Sequence, residues 1–258
     1  MTGAERGVWL DAEHRAAHRE DLSTFIERAQ RLDEATVVRL RERPGGMIVA
    51  WAATGFDVLA SRVVGGRVRP ADLCAGADAL LSGLTAMDAD GYVDPGFGMD
   101  SAWRGVLPPD AGFVHLDDVP ARVMLDLAQR GVRLAKEHSS AHGPPASLLD
   151  QEVVDVTAGG DTVGIPMRCV FALTAMGFLP QARMGDEFAP ESVSADEVVR
   201  VRVLPAWLRV DARFGTVYRR RGDPAGVLRC PVPISAEMAF RLRKFEWGPP
   251  GMPFRRKR

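Results

Sequence analysis

Residues 198–221 read VVRVRVLPAWLRVDARFGTVYRRR, and the alternation in this stretch decides the fold class. Val199, Val201 and Val203 alternate with Arg200 and Arg202, the period-two pattern of a strand with one face buried and one face wet. Pro205 interrupts the run. Leu208, Val210 and Ala212 then alternate with Arg209, Asp211 and Arg213, and Gly215 offers the conformational freedom a hairpin turn needs. A third run, 216–221, sets Val217 out of phase with Tyr218 and ends in Arg219, Arg220 and Arg221. The expected result is an antiparallel meander with Val and Leu turned to a core and arginines on the opposite face. Trp207 and Tyr218 are expected near those arginines.

The charge distribution singles this region out. Residues 198–258 hold 15 Lys and Arg against 4 Asp and Glu, whereas residues 1–197 hold 18 against 30. A chain of net charge −1 is therefore divided into an acidic body and a basic C-terminal part. That asymmetry points to an anionic partner, either nucleic acid or an acidic protein surface. In this reading Arg200, Arg202, Arg209, Arg213, Arg219, Arg220 and Arg221 contact phosphates, and Trp207 and Tyr218 stack on bases. A solvated arginine face that only protects sheet edges, or one that pairs with acidic residues of the same chain or of a second copy, is the plainer alternative. The last version makes the chain a homo-oligomeric structural or assembly protein.

Working outward, residues 11–32 carry Leu22, Phe25, Ala29 and Leu32 at helical spacing. The stretches 36–43 and 47–53 flank Pro44-Gly45-Gly46 as a hairpin, residues 57–64 return as a third strand closed by Gly65-Gly66, and a helix is expected from Pro70 to about Met87 with Asp72 in its first turn. Residues 88–112, rich in Gly, Pro and Asp, are too long for a plain connection and read as an ordered covering loop or a boundary. A second helix, capped by Asp117 or Asp118 with Pro120 in its first turn, runs to about His138. The stretches 152–157 and 162–165 form another hairpin, and residues 167–178, almost wholly apolar, form a helix at the centre of the fold. Residues 181–194 read as a linker, 227–232 as one more strand, and a short helix starts at Ser235.

Three times a hairpin is followed by a helix, over 36–87, 152–178 and 208–243. The fold class is therefore α+β, with antiparallel sheet built from three hairpin-plus-helix units and helices on one face. The expected divisions are 1–112, 113–194, a basic meander at 195–247 and a disordered basic tail at 248–258, with one continuous domain over 1–247 as the alternative.

The chemistry-bearing motifs are few. His14/His18 and His138/His142 each stand i,i+4, so each pair can turn both imidazoles to one side of a helix and together hold zinc or iron. That gives the alternative reading of a metal-dependent enzyme; the main reading needs no cofactor. No GxGxxG, GxxxxGK[ST] or GxSxG is present, and Asp94, Asp100 and Asp110 read as turn residues. Three separate cysteines without a CxxC, a charged first twenty residues and no apolar run of spanning length indicate a cytoplasmic chain with no membrane partner. Thirty arginines against three lysines mark a GC-rich, actinobacterial-like composition. The reading as a whole is a non-catalytic binding or regulatory protein.

Overall fold

The computed structural model describes residues 6–138, 145–158, 161–181, 183–184 and 187–221. In chain order the elements are β1 (Gly7–Leu10), α1 (Arg15–Leu32), β2 (Val37–Arg43), β3 (Met47–Thr54), β4 (Val58–Arg69), β5 (Asp72–Gly76), α2 (Ala77–Thr85), β6 (Tyr92–Val93), β7 (Val114–Pro120), α3 (Ala121–His138), α4 (Ala146–Leu149), β8 (Glu152–Ala158), β9 (Asp161–Pro166), α5 (Met167–Ala175), β10 (Arg183–Met184), β11 (Glu187–Phe188), β12 (Val198–Leu204), β13 (Trp207–Ala212) and β14 (Gly215–Arg220). The fold is mixed α+β with antiparallel sheet. Ten strands make one sheet in the order β5-β2-β3-β4-β14-β13-β12-β7, with β1 joined to β4 and β6 joined to β1.

Strand alternation sorts the side chains of this sheet into two layers. Leu40, Ile48, Ala60, Val217, Val210 and Val201 belong to the main buried cluster, together with Leu22 and Ile26 of α1, Leu84 of α2, Met124 of α3 and Leu173 of α5. The opposite phase carries Val49, Trp51, Trp207 and Tyr218, which form a second cluster beneath Trp103, Leu107 and Phe113. The segment around 100–113 thus covers the middle of the outer face.

Several expectations are corrected by tertiary packing. Asp72 lies in β5 rather than in a helix, because β2 offers a free edge: Arg39 stands opposite Cys74 and Arg41 opposite Asp72, and α2 starts only at Ala77. Asp117, Asp118 and Pro120 lie in β7, paired with β12, and α3 follows at Ala121. Gly65-Gly66 does not end β4. A Cβ on Gly66 would stand 2.3 Å from the Trp9 carbonyl oxygen, so the glycine lets β1 pair alongside a strand that runs on to Arg69. Residues 181–194 include the short β10–β11 pair and a single 3-10 turn at Pro190–Ser192. The strand expected at 227–232, the helix from Ser235 and the tail at 248–258 lie outside the described residues.

The first and second halves of the chain meet where β4 pairs with β14, through only three opposed residues on each strand: Ser61 with Thr216, Ala60 with Val217 and Leu59 with Tyr218. Arg168 flanks this short ladder on one side and the Phe25–Phe178 stack on the other.

Candidate anion-binding face

Pairing register places side chains of opposed residues on the same face of a sheet. One outer row runs Arg39, Trp51, Ser61, Thr216, Asp211, Arg200, Asp118 across six successive pairings. The next runs Leu59, Tyr218, Arg209, Arg202, His115. The outer face therefore has an aromatic ridge at its centre, a bank of Arg39, Arg41 and Arg43 on β2, and a second bank of Arg200, Arg202 and Arg209 on β12 and β13. Arg220 shares this face through its pairing with Trp207.

Carboxylates thread both banks. Arg39 makes two 2.7 Å hydrogen bonds to Asp72, which raise its pKa further above the usual guanidinium value. Arg43 lies 3.5 Å from Asp110, and Arg41 lies 4.0 Å from both Asp72 and Asp110. On the other side Arg202 and Arg209 share Asp211. Arg200 is 3.9 Å from Asp118, whose carboxylate is also 2.9 Å from His115. Six guanidiniums thus meet four carboxylates, and a seventh, that of Arg220, has no ion pair among the described residues. The pairing fixes the positions of the arginines while leaving the face cationic.

Not every arginine of 198–221 belongs here. Arg219 turns the other way and reaches Asp150 at 3.3 Å; Arg221 lines a polar cavity of about 330 Å³ with Glu152 and Asp155. Arg213 sits at the β13–β14 turn and pairs with Glu197 at 2.8 Å. Trp207 and Tyr218 are only 8% and 6% exposed. Tyr218 packs against Trp51 and Phe113, and burial pushes its hydroxyl above the ordinary tyrosine value. Both rings are covered, which corrects the expectation that they stack on bases from outside. The β2 arginines were absent from the sequence reading, although RLRER shows the same alternation as VRVRV; the net acidity of the N-terminal part concealed them.

The site expected of the two histidine pairs lies partly outside the described residues. His14 precedes α1 in a left-handed conformation, and His18 lies on α1 beside Gly65. His138 is the last residue of α3, and His142 is outside the described residues. Among the described residues no group of three or more His, Cys, Asp or Glu stands together in a way that would hold a metal ion. Burial raises the Cys74 thiol to about 11 and the Cys169 thiol to about 12, so neither is a thiolate near neutrality. Cys74→Ser and Cys169→Ser are expected to leave unchanged the rate and the amount of thiol titrated by an aromatic disulfide at pH 8 in the native protein. Loss of a reacting equivalent in either variant would show that site to be open. No helix of the described residues is long and apolar enough to cross a membrane.

Residues 4–105 match a family model described as a domain of unknown function (DUF8010), and residues 108–224 one described as a domain of unknown function (DUF8185). No curated protein matches the chain. Among solved structures the chain is similar to a putative DNA polymerase III beta subunit from Eubacterium rectale, with 9% identity and a TM-score of 0.50 over 84% of this chain and 65% of that one. It is similar also to pol III beta of Caulobacter crescentus, at 14% identity and a TM-score of 0.49 over 84% of this chain and 65% of that one. A DNA polymerase sliding clamp from Caulobacter crescentus is a third, at 13% identity and a TM-score of 0.48 over 82% and 67%. The chain spans about 65% of the length of the first two of these. The likeness at a TM-score of 0.50 shows the fold alone, one like that of the putative beta subunit from Eubacterium rectale.

Proposed function

We propose that this chain is a non-catalytic binding protein that holds a nucleic-acid backbone against the outer face of its sheet. The observation that carries the reading is the pair of arginine banks, seven guanidiniums on one face with four carboxylates between them. Arginines already held by neighbouring carboxylates lose little side-chain freedom when they meet phosphates, which lowers the entropic cost of binding. Arg39, Arg41 and Arg43 contact phosphates from one side of the aromatic ridge, and Arg200, Arg202, Arg209 and Arg220 from the other. The ridge of Trp51, Trp207 and Tyr218 supports the strands and takes no part in stacking.

A DNA polymerase beta subunit is what the structure of like fold is called, and a nucleic-acid partner for this chain accords with that.

The test is binding of a labelled duplex oligonucleotide, followed by fluorescence anisotropy as salt is varied. If four to six phosphates are engaged, log K should fall against log salt with a slope of about −4 to −5. The triple variant Arg43→Ala/Arg200→Ala/Arg220→Ala removes cations that have long or no internal pairings; its slope should be shallower by about 3. A wild-type curve that is flat from low salt upward, or a triple variant indistinguishable from wild type, would remove this face from the role.

A further inference from the structure

Phe97 is 93% exposed, yet the loop that carries it is held at several points. The Gly96 N–H donates to the Asp94 carboxylate at 2.9 Å, and Arg6 Nε donates to the Gly96 carbonyl at 3.2 Å. On the other side the Met99 N–H donates to the Cys74 carbonyl at 2.9 Å. Asp100 Oδ1 accepts the Cys74 N–H at 3.1 Å, and Arg6 reaches the same Cys74 carbonyl at 2.7 Å. Gly96 has φ +70°, a conformation that L side chains rarely adopt, and a Cβ there would come 2.8 Å from Ala79 Cβ. The ring is thus presented in one place, on a stretch (88–103) that holds four aspartates and no basic residue. These bonds also occupy both backbone groups of Cys74 on the outer edge of β5, so strand addition is blocked there and a side-chain contact is what this end of the sheet offers.

A complementary feature lies elsewhere in the chain. At the junction of the two halves is a cavity of about 470 Å³ with an apolar floor of Phe25, Phe178, Leu179 and Phe214 and a rim that includes Arg28, Arg62 and Arg213. Arg62 is engaged by Asp21 at 2.6 Å and Arg213 by Glu197, and Glu20 also lines the opening. Arg28 is different: its guanidinium donates to the Met176 and Gly177 carbonyls at 2.8 and 3.0 Å and has no carboxylate within ion-pair distance among the described residues. Burial first, then the neighbouring Arg31 and Arg62, lower its pKa.

We infer that Phe97 of one copy docks in the junction cavity of a second copy, with the aspartates beside it facing Arg28. A preorganised aromatic anchor entering an apolar pocket with an opposite charge at its rim is the usual form of a binding hot spot. Because knob and hole lie on different parts of one chain, the contact is heterologous, and each copy offers one of each.

Sedimentation velocity from 1 to 100 µM at low salt tests this. The wild type should associate with rising concentration and less so as salt rises. Phe97→Ser, which removes a ring that is almost wholly in solvent, should weaken association about 30-fold without altering the melting temperature. Phe214→Glu, or Gln181→Glu at the mouth if the former melts early, damages the hole and should weaken it similarly. An equimolar mixture of a knob variant and a hole variant keeps one intact knob and one intact hole, and should form a dimer that neither forms alone. A wild type that stays monomeric over this range, a Phe97→Ser variant that associates like the wild type, or a mixture that fails to pair would each overturn the proposal.

Discussion

Arg168→Met is expected to destabilise the chain by about 2–3 kcal/mol, and to lower the melting temperature by roughly 5–10 °C for a domain of this size. Arg168 is the second residue of α5, whose next five residues are buried and uncharged, and its side chain is only 10% exposed. It donates to the Phe56 carbonyl at 2.7 Å, on the turn between β3 and β4, and to Asp150, just after α4, through both Nε and a terminal nitrogen. Asp57 lies 3.6 Å away. One guanidinium therefore ties the first half of the chain to the second beside a strand ladder only three pairs long. Methionine preserves most of the volume and removes the cation. It leaves the Phe56 carbonyl without its donor and Asp150 with only Arg219, at 3.3 Å. Arg168→Lys keeps the charge but not the planar fork, so it should recover less than half of the loss. Urea unfolding gives the number: a midpoint shift worth less than about 1 kcal/mol would show that the junction does not depend on this contact.

The same residue shows what was legible in the sequence. Of the stretch 167–178 expected as a buried apolar helix, residues 167–175 form one, and a lone arginine within such a run was itself the signal of a buried partner. Which partner it had was not legible, since Phe56 and Asp150 are 112 and 18 residues away and on different elements. The alternation at 198–221 similarly revealed three strands and their wet face. It did not reveal that Asp118, 82 residues before Arg200 in the sequence, would lie beside that arginine, because this depends on β7 joining the far edge of β12. Local preference was misleading where a free edge competed with it. Asp72–Gly76 follows a proline and precedes an Ala/Leu run, which suits a helix start, but β2 recruits it as a strand. Trp207 and Tyr218 were rightly placed on the arginine face; only the return of residues 100–113 across the sheet buries them, and a loop's path is set by tertiary contacts that no period reports.

Phe178→Ala is expected to cost about 3–5 kcal/mol, from the opposite side of the same junction. The ring is 2% exposed and stacks on Phe25 of α1 with centroids 6.3 Å apart and planes within 2° of parallel. It also fills the space above Gly215, where a Cβ would lie 2.4 Å from the ring. The Phe178 carbonyl accepts the Phe214 N–H at 3.2 Å, so the backbone holds the side chain's position and the site has little freedom to collapse once the ring is gone. The transfer term and the cavity term therefore both apply. Phe178→Leu refills part of the volume and should lose less than half as much. Arg168 and Phe178 bracket the three-pair ladder and share no contact, so their separate losses should add while the two halves still unfold together. The double variant Arg168→Met/Phe178→Ala removes both fastenings, and calorimetry should then resolve two transitions, one for each half. A single sharp transition in the double variant would mean that β4 and β14, with the core beneath them, couple the halves without help from either side chain.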